Sequence, residues 1–332
     1  MHIRGGADPA PEAGETRPQQ HIRHRIEHRA GASIKKTNTG AVVTAYRPPV
    51  ELPARVGKML DHFAAVTVVD DGSGAGSVVL DACRELGAQV VRLDTNSGIG
   101  FALNAGISAL RAQHPALDFI VSFDQDSEPP AGILDHFEQA RLAAELDGLT
   151  VGSVSPGSVS GSRVISSGGG GAYAEVREPI QSGLLVPVDV LDDVGGFDEG
   201  LFIDGVDTDF YWRLQDAGLT AVSARDVALE HALGQRQQAR LFGVPVRLPS
   251  GPLMLMQSAP FRYYYIGRNR VHLLRRNLRS HPKWMLRGLG LDLRHIGLVV
   301  LLGSSRRQRL RYFVRGVIDG LRGQTGKVRD AK

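Results

Sequence analysis

Ala65-Val66-Thr67-Val68-Val69-Asp70-Asp71-Gly72-Ser73 decides the fold. The apolar run reads as a buried strand, and it stops abruptly in a polar, glycine-containing turn. The same arrangement recurs on both sides. Upstream, Gly40 to Tyr46 is an apolar strand closed by Pro48-Pro49, and Leu52 to Phe63 reads as the helix that returns the chain. Downstream come a helix from about Gly76 to Leu86, a strand from Gln89 to Leu93, the turn Asn96 to Gly100, and a helix from Phe101 to Gln113. Phe119 to Phe123 then runs directly into Asp124-Gln125-Asp126. Strands alternating with helices build βαβ units and a parallel sheet. Each polar turn falls at the carboxyl end of a strand, where open α/β sheets bind their ligands.

Farther along, the pattern loosens. Val151 to Ala174 is Gly/Ser-rich and reads as irregular, with four glycines in a row at Gly168 to Gly171. Gln181 to Val188 is an apolar segment, Asp189 to Asp193 a turn or short helix, and Asp207 to Ala217 an amphipathic helix. Beyond Pro260 the chain is helical and basic, with aromatics at Phe261, Tyr263, Tyr264, Tyr265 and Trp284. Residues 1–37 have no apolar period and read as a disordered tail. The expected division is therefore a tail over 1–37, a catalytic α/β domain over 38–258, and a basic helical extension over 259–332.

The chain has 332 residues and is 42% hydrophobic, enough for one large core plus an appendage. Its single cysteine, Cys83, rules out an intramolecular disulfide and fits a reducing compartment. No apolar signal segment is visible in the first 37 residues. The apolar stretch Ile296 to Gly303 is far short of the roughly 20 residues needed to span a bilayer. The expected location is cytoplasmic, with peripheral attachment to the inner face of the membrane as an extension of that reading.

The net charge of +4 hides an asymmetry. From Pro260 onward there are 18 Lys and Arg against Asp292, Asp319 and Asp330, a net of +15, so the rest of the chain carries −11. A basic tail of this kind is either a solvated helical face or an element drawn to an anionic surface, lipid or polyanion.

Three acidic clusters carry the chemistry: Asp70/Asp71, Asp124/Asp126 and Asp204/Asp207/Asp209. Any one of them alone could be turn or cap geometry. Three gathered at the rim of one core repel each other unless cations collect there. Mg²⁺ or Mn²⁺ bound through one or two carboxylates and the oxygens of a diphosphate would offset that cost.

The order of Val69-Asp70-Asp71-Gly72-Ser73, Asn96-Ser97-Gly98-Ile99-Gly100, Asp124-Gln125-Asp126, Gly195-Gly196-Phe197-Asp198 and Phe202 to Asp209, then Arg213 and His231 to Gly234, resembles the inverting family 2 glycosyltransferases. Within them it is most similar to the rhamnosyltransferase-like branch, over roughly residues 39 to 280. The resemblance implies the GT-A fold: a mostly parallel central sheet flanked by helices, here with a helical C-terminal extension. It implies that Asp70, with Asp71 beside it, and Tyr46 surround the pyrimidine base. Gly98 shapes the donor pocket, and Asn104 helps fix that turn. Asp124 lies near the ribose, Asp126 binds the metal, and His231 is a further metal or diphosphate ligand. Asp207 is the implied catalytic base, with Asp204 and Asp209 as further candidates. The implied donor is dTDP-L-rhamnose, with UDP-sugars open. The implied acceptor is a cell-envelope glycan or lipid-linked saccharide.

The chemistry is coherent. An acceptor hydroxyl is a poor nucleophile at neutral pH until a carboxylate within reach takes its proton. The departing nucleoside diphosphate gathers negative charge, which a divalent cation stabilises. A single displacement inverts the anomeric centre, and no covalent nucleophile is needed.

Other classes fare worse. Asn96 to Gly100 is not a dinucleotide fingerprint: Leu103 stands where the third glycine belongs, and the turn follows the third strand. A sugar-1-phosphate nucleotidyltransferase needs a Gly-rich, basic phosphate loop after the first strand, where this chain has Tyr46-Arg47-Pro48-Pro49. A nucleic-acid-binding protein is opposed by the acidic body and by the lack of any recognised binding motif. Arg213, four residues beyond Asp209, reads as its ion-pair partner on one helix face. Tyr263 to Tyr265 read as packing residues or as an acceptor wall.

Overall fold

The computed structural model describes residues 32–74, 78–159, 162–163, 166–230, 236–241, 244–249 and 251–328. The first half follows the expected alternation: β1 (Thr39–Ala45), α1 (Leu52–His62), β2 (Ala65–Asp70), α2 (Val78–Glu85), β3 (Gln89–Arg92), α3 (Ile99–Gln113), β4 (Phe119–Asp124) and α4 (Ile133–Leu146). Then come β5 (Val151–Val159), β6 (Ser162–Arg163), β7 (Ser166–Gly168), β8 (Tyr173–Val176), β9 (Leu184–Pro187), α5 (Val188–Val194), α6 (Val206–Asp216) and β10 (Thr220–Leu229).

These strands form one ten-stranded sheet in the order β3-β2-β1-β4-β9-β5-β10-β8-β7, with β6 on β5. It is parallel from β3 through β4. Beyond β4 it is mixed: β9 is antiparallel to β4 and β5, while β5 and β10 run parallel. Helices cover both faces. Ala41, Val43 and Ala45 of β1 pack with α1, α2 and α4, while Val42 points the other way, toward α3, α5 and α6. This is the period-two alternation of a strand buried on both sides.

The stretch from Val151 to Ala174, expected to be irregular, holds β5, β6 and β7 of this sheet and the start of β8. Its glycines and serines answer to close packing. A Cβ on Gly152 would lie 2.7 Å from Leu219 Cβ, and Ser153 and Ser155 are buried in the sheet interior. Polar composition hid a buried strand.

The N-terminal boundary also differs from expectation. Residues 1–31 lie outside those described, but residues 32–37 are folded onto the domain. Ile34 is buried, its N–H donates to Glu138 Oε2 at 3.1 Å, and Arg141 donates to the Ala32 carbonyl at 3.2 Å.

After β10 three short ladders follow: β11 (Arg236–Gln238) with β16 (Met254–Met256), β12 (Arg240–Leu241) with β13 (Val244–Pro245), and β14 (Arg247–Leu248) with β15 (Gly251–Pro252). The tail is three helices, α7 (Arg262–Asn277), α8 (Pro282–Leu302) and α9 (Arg306–Leu321). None of the described helices is long and apolar enough to cross a membrane.

Candidate active site

A cleft of about 810 Å³ opens at the carboxyl ends of β1, β2 and β4. Of the residues singled out in the sequence, Tyr46, Asp71, Gly98, Asp124, Asp126, Asp204 and Asp207 all line it. Asp70, Asn104 and Asp209 do not, and His231 lies outside the described residues.

The excluded three are occupied elsewhere. Asp70 is buried, and its Oδ1 accepts from both the N–H and the hydroxyl of Ser73. Ser73 Oγ in turn accepts the Arg47 N–H at 2.6 Å, so the loops after β1 and β2 are tied together. Asn104 pairs with the Phe197 backbone, donating to its carbonyl and accepting from its N–H, each at 2.8 Å. It thereby locks α3 to the Gly195-Gly196 turn. Asp209 is clasped between Arg213 Nε and Arg276 Nη1, each at 2.9 Å. Arg213 also donates to the carbonyls of Val194, Gly195 and Gly196. The expected Asp209–Arg213 pair is present, and it staples the turn to α6.

Asp71 serves a different purpose from a free carboxylate. Its two oxygens accept the N–H groups of Ser97 at 2.7 Å and Gly98 at 2.9 Å. Burial raises the carboxyl above its ordinary range, and those two N–H groups oppose the rise. Gly98 has φ of +98°, and a Cβ there would lie 2.5 Å from the Phe202 carbonyl oxygen. That same oxygen accepts the Ile99 N–H at 2.7 Å. Only glycine permits so close a backbone approach.

Phe202 itself is strained. It has φ +64° and ψ −63°, and the Ile203 N–H reaches the Leu201 carbonyl at 2.7 Å, closing a γ-turn of the rare positive-φ kind. Asp204 follows at φ +65°. Asn269 holds the turn with one amide that donates to the carbonyls of Leu201, Ile203 and Asp204. Strain held in place by many partners is characteristic of functional loops.

The loop delivers Asp207 to the first turn of α6. Part of Asp207 opens on the cleft while protein encloses the rest. Burial pushes its carboxyl up to about 6, aided by the charges of Glu178 and Asp204 and opposed by the Thr208 N–H, 2.8 Å from Oδ1. Also lining the cleft, Asp124 accepts from Gln181 Nε2 at 2.5 Å, and its N–H donates to Ser182 Oγ at 3.1 Å. Asp126 lies beside it on the cleft.

Residues 41–163 match Glycosyl transferase family 2. The chain is 26% identical over 310 residues to the dTDP-rhamnosyl transferase RfbF of Shigella flexneri, covering 87% of this chain and 97% of that protein. The chain's likeness is to the family 2 glycosyltransferases. Its fold is also that of TarS from S. aureus, with a TM-score of 0.53 at 15% identity over 86% of this chain. That match spans 49% of TarS, so this chain corresponds to about half of that protein.

The cleft includes residues that sequence reasoning missed. Arg262, at the start of α7, pairs with Asp204 through both Nε and Nη2. Burial pulls its guanidinium down, but Asp204, then Asp124 and Asp207, more than reverse that. Phe261, Tyr265, Lys327 and Val328 line the same wall. The extension therefore contributes residues to the cleft. Tyr263, Tyr264 and Tyr265 are all buried, and Tyr265 stacks on Phe202 with centroids 4.8 Å apart. Glu178, at φ +51°, accepts from Trp284 Nε1 of the extension and sits close enough to raise the Asp207 pKa. The one available signal was Arg262 directly before the aromatic run. Glu178, Gln181 and Lys327 carry no motif; only folding brings Gln181 and Lys327 to the cleft and Glu178 near Asp207.

Proposed function

We propose that this enzyme transfers L-rhamnose from dTDP-L-rhamnose, with inversion, to a hydroxyl of a cell-envelope glycan or lipid-linked saccharide. One observation carries the reading: Asp207 lines a single cleft together with Asp124 and Asp126, and its carboxyl is pushed up to about 6. A carboxylate of that basicity is well matched to taking a proton from an acceptor hydroxyl near neutral pH. The similarity to a dTDP-rhamnosyl transferase over nearly the whole of that protein supports the donor.

The roles follow from position. Asp207 holds the acceptor hydroxyl and accepts its proton. Tyr46 and the Asp71-fixed loop at Ser97-Gly98 flank the nucleotide. Arg262 keeps Asp204 neutralised beside the base. Asp124 and Asp126 are the residues that would hold a divalent metal. Among the described residues no group of three or more His, Cys, Asp or Glu is arranged to bind one. Two carboxylates suffice for Mg²⁺ or Mn²⁺, whose other ligands are donor oxygens and water. When bound, such an ion stabilises charge on the departing diphosphate. The basic extension also supports peripheral contact with an anionic membrane, where a lipid-linked acceptor is presented.

Hydrolysis and transfer assays across dTDP-L-rhamnose, dTDP-D-glucose, UDP-glucose and UDP-N-acetylglucosamine test the donor. Turnover of dTDP-L-rhamnose well above the others is expected. A preference for a UDP-sugar would overturn the donor assignment and leave the transferase reading intact.

A further inference from the structure

The chain beyond α9 turns back onto α7 and the Gly200 turn of the preceding domain and is held there at four points within five residues. His272 Nε2 lies 2.8 Å from the Gln324 carbonyl oxygen. The Gly326 N–H donates to the Gly200 carbonyl at 2.6 Å, and the Gly326 carbonyl accepts from Arg268. The Val328 N–H donates to the Tyr265 hydroxyl at 3.0 Å. These anchors belong to the site. Gly200 precedes the strained Phe202 turn, Tyr265 stacks on Phe202, and the fully buried Arg268 also donates to the carbonyls of Gly200 and Leu201.

This strap presents Lys327. Its backbone neighbours are clamped on both sides, and its exposed side chain lines the cleft, near enough to Asp71 to favour that carboxylate's charged form. Charge balance gives the residue a purpose. Five carboxylates line the cleft: Asp71, Asp124, Asp126, Asp204 and Asp207. The lysines and arginines that line it are Arg262 and Lys327, and Arg262 is engaged by Asp204. A nucleoside diphosphate brings further negative charge into this acidic setting. Lys327 is the cation placed to meet it, without breaking an ion pair among the described residues.

We propose that Lys327 is a donor-binding residue whose ammonium contacts the phosphates of the nucleoside diphosphate, and that the strap at Gln324 to Val328 exists to place it. The proposal rests on the nucleotide-sugar reading above. A lysine on a fixed backbone acts as a point charge toward phosphate, so its effect is confined to ligands that carry phosphate.

Calorimetric titration of the full chain with dTDP and UDP in Mg²⁺, with thymidine and uridine as phosphate-free controls, tests this. Lys327→Ala should weaken the preferred diphosphate about tenfold and leave its nucleoside unchanged, with Lys327→Arg recovering most of the loss. Donor KM should rise in parallel while the thermal midpoint stays put. Equal affinity of wild type and Lys327→Ala for the diphosphate overturns the proposal while the donor reading stands. Equal weakening of nucleoside and diphosphate also overturns it, because it reports a structural role. Failure of wild type to bind either diphosphate removes the donor reading itself, and the proposal with it.

Discussion

Asp71 holds Gly98 in place: its Oδ2 accepts the Gly98 N–H at 2.9 Å, while Oδ1 accepts the adjacent Ser97 N–H at 2.7 Å. The loop after β2 thus fixes the loop after β3, which rests on Phe202. Asp71→Asn keeps the shape but turns an NH₂ group toward an N–H donor. A buried donor left without an acceptor costs about 1–3 kcal/mol. Thermal unfolding should register that loss, and donor KM should rise while kcat changes little. A variant with unaltered donor KM would show that this loop does not form the nucleotide wall.

Asp207→Asn should retain the fold and donor affinity and lose kcat by a factor on the order of 10² or more. In the wild type, kcat/KM should fall on the acid side with an apparent pKa of about 6, following the raised carboxyl. The stability effect has the opposite sense. A carboxyl raised from 3.8 to about 6 disfavours the ionised native state, so stability declines as pH rises through that interval and stays reduced above it. Asp207→Asn should therefore stabilise the protein at pH 8, by on the order of 2 kcal/mol, and not at pH 3. An inactive Asp204→Asn beside an active Asp207→Asn would reassign the base.

The parts of the site visible in the sequence were those carried by strand ends. Asp71, Asp124 and Asp126 follow apolar runs whose lengths and polar stops fix their position, and Asp207 opens an amphipathic helix. What stayed hidden depends on tertiary approach. The Ser153 and Ser155 strand reads as polar because its packing demands small residues, not because it is exposed. Asp70, Asn104 and Asp209 have the right residue types, but their carboxylate or amide groups are used to tie loops and helices together. Arg262 and Lys327 lie 65 residues apart in the chain and meet at the cleft only because α7 and the strap fold onto Gly200 and Leu201.

Removing divalent metal should abolish transfer. Freshly desalted enzyme in excess EDTA should be inactive and should recover with Mg²⁺ or Mn²⁺. Asp126→Ala should lose donor binding as well as turnover, because diphosphate and metal bind together. Full activity in EDTA would leave Asp124 and Asp126 without a metal to hold.

The extension should bind anionic membranes peripherally. On α9, Leu310, Val314, Ile318 and Leu321 are exposed at spacings that form one stripe, and the first three line a groove together with Arg307, Arg311, Arg315, Arg322 and Asp319. On α8, Leu286, Leu293 and Leu301 are exposed as well. An apolar stripe edged by arginines suits the headgroup boundary of an anionic bilayer. A two-fold dimer through this face would set one extension of net +15 against another, which like-charge repulsion opposes. Each Lys or Arg near an anionic surface contributes roughly 1 kcal/mol and loses that within a Debye length. Co-sedimentation should therefore show binding to phosphatidylserine-containing vesicles, none to neutral ones, and release at high salt. Val314→Glu with Ile318→Glu should abolish it while leaving hydrolysis of the soluble donor intact, since neither residue lines the cleft. No binding to either vesicle, with a dimer in sedimentation velocity that the double variant dissociates, would assign this face to a second copy of the chain.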